Sequence, residues 1–189
     1  MRNKIFLILF LALISNLSIS KSLNSEEIFN FNVTELEITN DGTVFTGSDG
    51  GEVYTNDGTS VTAENFEFNK ITSLLVASNN AKLIDTSRDI VIYANKISYN
   101  KNDEDIKAEG KVLIIDNKRK IKINSEEITY LKNKNEIIAK TNVNFIDQKK
   151  KIFIEADEIY YFKNEKKLLA KSNVLLEDKI KNIKIKTDQ

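Results

Sequence analysis

Cysteine, histidine, proline and tryptophan are all absent from the 189-residue sequence. Without cysteine there is no disulfide, no thiolate metal site and no thiol nucleophile, and the redox compartment is left open. A lipid-modified N-terminus is excluded for the same reason. Without histidine the commonest general base and metal ligand is missing. The chain is therefore not expected to be an enzyme, and neither a metal nor a cofactor is expected. Glycine is scarce too: five of the six lie between Gly42 and Gly58. Net charge is zero, with 5 Lys+Arg against 12 Asp+Glu in residues 21–100 and 21 against 16 in residues 101–189. So mild and mixed a gradient does not make a nucleic-acid surface. With 41% apolar and 30% charged residues, the composition is that of a globular chain, and this length fits one domain.

What is present begins with a leader. Arg2 and Lys4 precede an unbroken apolar run from Ile5 to Ile14. Small and polar residues follow, with Ser18 and Ser20 at the −3 and −1 positions for cleavage before Lys21. This reads as a secretory signal over residues 1–20. A membrane span needs about 20 apolar residues, twice what the run offers. Export to the periplasm follows, with a mature chain of residues 21–189.

A 31-residue repeat organises that mature chain. Phe68, Tyr99, Tyr130 and Tyr161 are in step, as are Ala77, Ala108, Ala139 and Ala170, and Asp85, Asp116, Asp147 and Asp178. A divergent, glycine-rich unit precedes them, from Phe31, Val33, Leu36 and Ile38, as terminal repeats commonly diverge. After Asp178, Ile183 and Ile185 begin a further unit that is incomplete, giving about five in all.

Each unit reads as two strands and two turns. Ile106, Ala108, Gly110, Val112 and Ile114 alternate as a half-buried strand does, and 100–105 and 116–118 carry turn chemistry. The recurring aspartates read as turn formers rather than as a calcium cluster. No apolar spacing near 3.6 appears, so the expectation is all-β. In the first strand of each unit, Ile92 and Ala94 are out of phase with Ile97 and Tyr99. Keeping all four on one face requires an extra residue, expected as a bulge at Asn95–Lys96 and its equivalents. A bend repeated in every strand folds the sheet lengthwise into two leaves around a V-shaped groove.

The groove's inner columns are large toward the leaf tips: Phe66, Phe68, Leu83, Ile97, Tyr99, Ile114, Ile128, Tyr130, Phe145, Ile159, Tyr161 and Leu176. They are small near the fold line. Two readings stand: an ordinary sandwich core, or a trough lined for acyl chains. The basic residues Arg88, Lys118, Arg119, Lys149 and Lys150 recur in one inter-unit turn. They read either as solvated turns that discourage aggregation or as a head-group rim for an anionic lipid.

The stretch Ala94-Asn95-Lys96-Ile97-Ser98-Tyr99, followed by Ile106-Lys107-Ala108-Glu109-Gly110-Lys111-Val112, resembles the repeat of the OstA-like (organic solvent tolerance) family. The pattern covers about residues 29–187. The resemblance implies an antiparallel β-jellyroll, open along one side, that shields the lipid A acyl chains of lipopolysaccharide on their way to the outer membrane. It implies edge-to-edge partners among other OstA-like transport components or copies of the chain itself, and no catalytic residues. Asn79, Thr141 and Ser172 depart from the pattern where one unit has Gly110, which implies a shallower bend. Two further readings remain: the periplasmic domain of an outer-membrane lipopolysaccharide translocon without its barrel, and a closed structural β-repeat module.

Overall fold

A computed structural model describes residues 29–187. The expected leader, residues 1–20, lies outside the described residues. The described chain is one antiparallel sheet of 13 strands with no helix. In chain order these are β1 (Asn30–Thr39), β2 (Val44–Tyr54), β3 (Thr59–Ala63), β4 (Asn65–Asn69), β5 (Leu74–Asp85), β6 (Ile90–Asn100) and β7 (Asp105–Asp116). They continue with β8 (Ile121–Leu131), β9 (Glu136–Asp147), β10 (Ile152–Phe162), β11 (Lys167–Lys171), β12 (Leu175–Asp178) and β13 (Ile183–Lys186). Apart from β3 with β4 and β11 with β12, which do not pair, neighbours in sequence are neighbours in the sheet, so hairpin follows hairpin.

The sheet is folded lengthwise into two leaves. Residues 74–78, 96–100, 105–109, 127–131, 136–140 and 158–162 build the first leaf. Residues 81–85, 90–94, 112–116, 121–125, 143–147 and 152–156 build the second. Their pairing breaks register at the same level in hairpin after hairpin. β3 with β4, and β11 with β12, are bent strands interrupted at that corner.

The corner is not built where the sequence suggested. Asn95 and Lys96 keep ordinary backbone, although the phase change they imply is real: Ala94 and Ile97 are both buried. The irregular residues lie on the facing strand, as consecutive left-handed pairs at Asn79–Asn80, Gly110–Lys111, Thr141–Asn142 and Ser172–Asn173, all with φ between 50° and 78°. Two such residues in a row turn the strand through the corner whether or not glycine is present. The corner therefore uses the same left-handed dihedrals in these four units, with or without glycine. Asparagine tolerates this region; a β-branched residue such as Thr141 pays strain there.

The core sits between the leaves. Eleven of the twelve predicted lining residues are buried, and Leu176 is half-buried. The columns do face inward, but they are in contact with one another rather than lining an empty V. At the start of the sheet Phe29 reaches into this interior, its ring 4.9 Å from that of Phe68 and 5.7 Å from that of Tyr99. The trough is thus closed along most of its length by its own side chains. It opens toward the last strands.

Candidate lipid-binding site

The two leaf tips meet along the mouth of the trough, and the chemistry that joins them follows the repeat. Each of Lys101, Lys132 and Lys163, 31 residues apart, stands in the turn that ends a first-leaf strand and reaches a carboxylate at the second-leaf tip. Lys101 pairs with Asp57 and with Glu104. Lys132 Nζ lies 2.8 Å from Glu104 and 3.8 Å from Asp85. Lys163 Nζ lies 3.3 Å from Asp116. The side chains of Lys132 and Lys163 are both only 1% exposed.

A buried ammonium is costly unless it is paired and hydrogen-bonded, and the two buried lysines differ in this. Lys132 Nζ donates to Thr59 Oγ1 at 3.0 Å and to Tyr99 Oη at 3.1 Å, beside its two carboxylates. Burial lowers its pKa, but the bonds to Glu104 and Tyr99 outweigh burial and hold it above the ordinary lysine value. For Lys163, burial wins, and its pKa lies below the ordinary value. Burial also works to raise Glu104, yet its bonds from Lys101 and Lys132 hold it below the usual carboxylate range. Asp57 behaves likewise, its burial outweighed by Lys101 and Thr55.

The aspartates at the second-leaf tips are turn formers, as the sequence indicated. Oδ1 of Asp85, Asp116, Asp147 and Asp178 accepts the backbone N–H three residues on, at 2.8–3.0 Å. Oδ2 of Asp85 and of Asp116 also accepts from the guanidinium of Arg88 and Arg119. Asp85 and Asp116 receive a lysine across the mouth. Asp147 pairs with Lys150 of its own turn, at 3.8 Å, and with no lysine of the first leaf among the described residues.

Where this cross-leaf pairing stops, a recess of about 400 Å3 opens between the leaves. Ile121, Phe145, Ile152 and Ile154 form its second-leaf wall, and Tyr161 and Leu168 its first-leaf wall. Phe145 and Tyr161 meet edge to face, with centroids 5.6 Å apart. Lys118, Arg119, Lys149 and Lys150 from the second-leaf turns, and Lys166 from the first, stand round it, together with the carboxylate of Asp147. Its volume falls within the roughly 300–1,000 Å3 usual for small-molecule sites.

Of the predicted lining residues the structure brings Phe145 and Tyr161 to this recess. Phe66, Phe68, Leu83, Ile97, Tyr99, Ile114, Ile128, Tyr130 and Ile159 are packed in the closed part. Leu176 pairs with Ile154 in the neighbouring strand. Of the predicted rim, Lys118, Arg119, Lys149 and Lys150 border the recess, whereas Arg88 stands further back and pairs with Asp85 at 3.3 Å. Sequence reasoning missed the Lys101, Lys132 and Lys163 column. Its signal was available, because lysine recurs there at the repeat's own step, in register with the aspartates.

No family model matches the sequence, and no curated protein does. Among solved structures, the chain is similar to LptH, the LptA-homologous periplasmic component of the lipopolysaccharide transport device of Pseudomonas aeruginosa. Identity is 12% and the TM-score 0.32, over 85% of this chain and 94% of that one. Likeness at that level leaves function to be argued from the site.

Proposed function

We propose that the protein is a lipid carrier of the bacterial envelope. It holds the acyl chains of an anionic amphiphile of the lipopolysaccharide class between the leaves of its folded sheet. One observation carries this reading: the apolar recess between the leaves, walled by Phe145, Ile154, Tyr161 and Leu168 and bordered by five basic side chains against one carboxylate, Asp147. An acyl chain gains about 0.8 kcal/mol for each methylene it buries, and lysines at the mouth suit phosphates on its head group. The leader-like N-terminus and the OstA-like repeat support the compartment and the lipid class. Longer chains are accommodated by spreading the leaves and displacing core side chains in the closed part. The edge strands β1 and β13, each paired on one side among the described residues, suit edge-to-edge contact with further copies or with related transport domains.

A second reading, the closed structural module, is favoured by the packing of the interior. Leu168 separates the two. It is half-buried on the last first-leaf strand, facing the recess, so Leu168→Asp puts a charge into the recess with little loss of core. Titration with a fluorescent lipid A analogue is expected to give saturable binding to the native chain. The variant is expected to lose at least about tenfold in affinity, the worth of roughly 1.4 kcal/mol, with its melting curve nearly unchanged. Absence of saturable binding to the folded native chain decides for the structural module.

A further inference from the structure

Lys163 and Lys132 occupy equivalent positions in successive repeats, yet their surroundings are not equivalent. The hydroxyl of Thr59, which receives a hydrogen bond from Lys132, is replaced 31 residues on by Ile90. The carboxylate of Glu104, which binds both Lys132 and the hydroxyl of Tyr99, is replaced by Asn135. Both acceptors are thus lost together. The result is a pair of buried polar atoms without a hydrogen bond, Lys163 Nζ and Tyr130 Oη. The ammonium lies 5.0 Å over the Tyr130 ring, and its one ionic partner, Asp116 at 3.3 Å, stands off hydrogen-bond geometry.

Charge tells the same story. Around Lys132, three cations (Arg88, Lys101 and Lys132) face three carboxylates (Asp57, Asp85 and Glu104). Around Lys163, the nearest carboxylate, Asp116, is shared with Arg119 at 3.1 Å, and Asp85 adds only a weaker attraction from further off. Among the described residues Lys163 therefore has no carboxylate to itself, in a water-poor position. Arg119 and Tyr161, two residues before Lys163, line the adjoining recess.

We propose that Lys163 and Tyr130, buried outside the lining of the recess but next to Tyr161 and Arg119 of its wall, form an oxyanion site that takes the phosphate or carboxylate head of an amphiphile whose chain lies against Phe145, Ile154 and Tyr161. Both orphaned groups can donate, so an oxyanion there offers them an acceptor and gives Lys163 a negative partner it need not share. A charge-assisted bond in a dry site is among the stronger hydrogen bonds available. A buried ammonium held below its ordinary pKa by desolvation is returned to comfort by the same ligand. The inference rests on the lipid reading above and narrows it to head groups bearing an accessible oxyanion.

The test uses the full chain with three probes: dodecyl phosphate, its uncharged counterpart dodecanol, and inorganic phosphate, each read by displacement of a bound fluorescent fatty probe. Dodecyl phosphate is expected to bind at least about tenfold tighter than dodecanol, and inorganic phosphate to compete far more weakly than either. Lys163→Met keeps the length of the side chain and is expected to abolish the preference while leaving dodecanol unaffected. Tyr130→Phe is expected to reduce it by about fivefold, the worth of one hydrogen bond. Ile90→Thr with Asn135→Glu rebuilds the Lys132 surroundings around Lys163, and is expected to remove the preference with the lysine still in place. A preference that survives in both Lys163→Met and the rebuilt variant overturns the proposal, as does inorganic phosphate competing as well as dodecyl phosphate. Binding of dodecanol equal to that of dodecyl phosphate overturns it while sparing the lipid reading; failure of both alkyl probes overturns the lipid reading and this inference together.

Discussion

At the scale of single residues, the lysines at the mouth decide how the leaves stand. Lys132 has four polar partners and Lys163 a single ionic one, so deletion is expected to separate them. Lys132→Met leaves Glu104 with Lys101 and Asp85 with Arg88, but it breaks the four-partner network of a fully buried lysine and should cost about 3 kcal/mol. Lys163→Met leaves Asp116 with Arg119 and should change stability by less than about 1 kcal/mol, in either direction. Urea midpoints at unchanged slope measure both. The carboxylates set an acid limit. Asp57 and Glu104 are held below their ordinary values, so the unfolded chain takes up their protons first as pH falls. Their contribution is complete above about pH 4, the unfolded carboxylate range, and is lost as pH drops through the folded values. Melting curves between pH 6 and 2 should show that loss, and Lys101→Met should flatten it. These lysines were hard to read from sequence because lysine is abundant in every polar turn of the chain, and a turn lysine is ordinarily solvated. The inward aromatic columns were legible because nothing but burial explains an aromatic at one phase of every repeat.

At the scale of elements, strand alternation and turn chemistry could be read from the chain, and so could the phase change that bends each strand. Which strand carries the irregular backbone could not. The apolar pattern reports side-chain direction, whereas the corner is made by dihedrals, and Asn79–Asn80 or Ser172–Asn173 look like ordinary polar residues on paper. Strain at these corners is measurable. Thr141 holds φ at 67°, which costs a β-branched residue about 1–2 kcal/mol. Thr141→Gly is therefore expected to stabilise by about 1 kcal/mol. Gly110→Ala is expected to do the reverse, because φ is 78° and the added Cβ would stand 2.6 Å from Asn95 Nδ2. Denaturant midpoints of the two variants moving in the same direction would contradict this account of the corner.

For the whole molecule, the periodicity foretold a sheet folded into two leaves, but not how far apart the leaves stand. Alternation says which side chains face inward. The distance between leaves is set by cross-mouth pairs between residues 44–47 apart, and no local pattern exposes those. The same pairs explain why the trough is shut over its closed part and open at the recess, where Asp147 receives no first-leaf lysine among the described residues. At the two ends of the sheet the apolar inner face is uncovered: Leu36 and Ile38 on β1, Ile183 and Ile185 on β13 are exposed. Exposed edge strands with apolar residues template further pairing. Ile185→Pro removes a ladder donor from that edge and is expected to lower the mass seen in light scattering; an unchanged mass would mean that this edge is not the contact.

The claim on which the rest depends is that lipid lies between the leaves, and site-specific photo-crosslinking tests it most directly. Crosslinkers are placed at Phe145, Tyr161 and Leu168, which face the recess, and at Lys82, Lys107 and Asn144, which alternate with buried neighbours and so face outward. The recess positions are expected to label lipopolysaccharide and the outward ones not. Equal labelling from both faces, or none from the recess in a folded chain, would contradict the account.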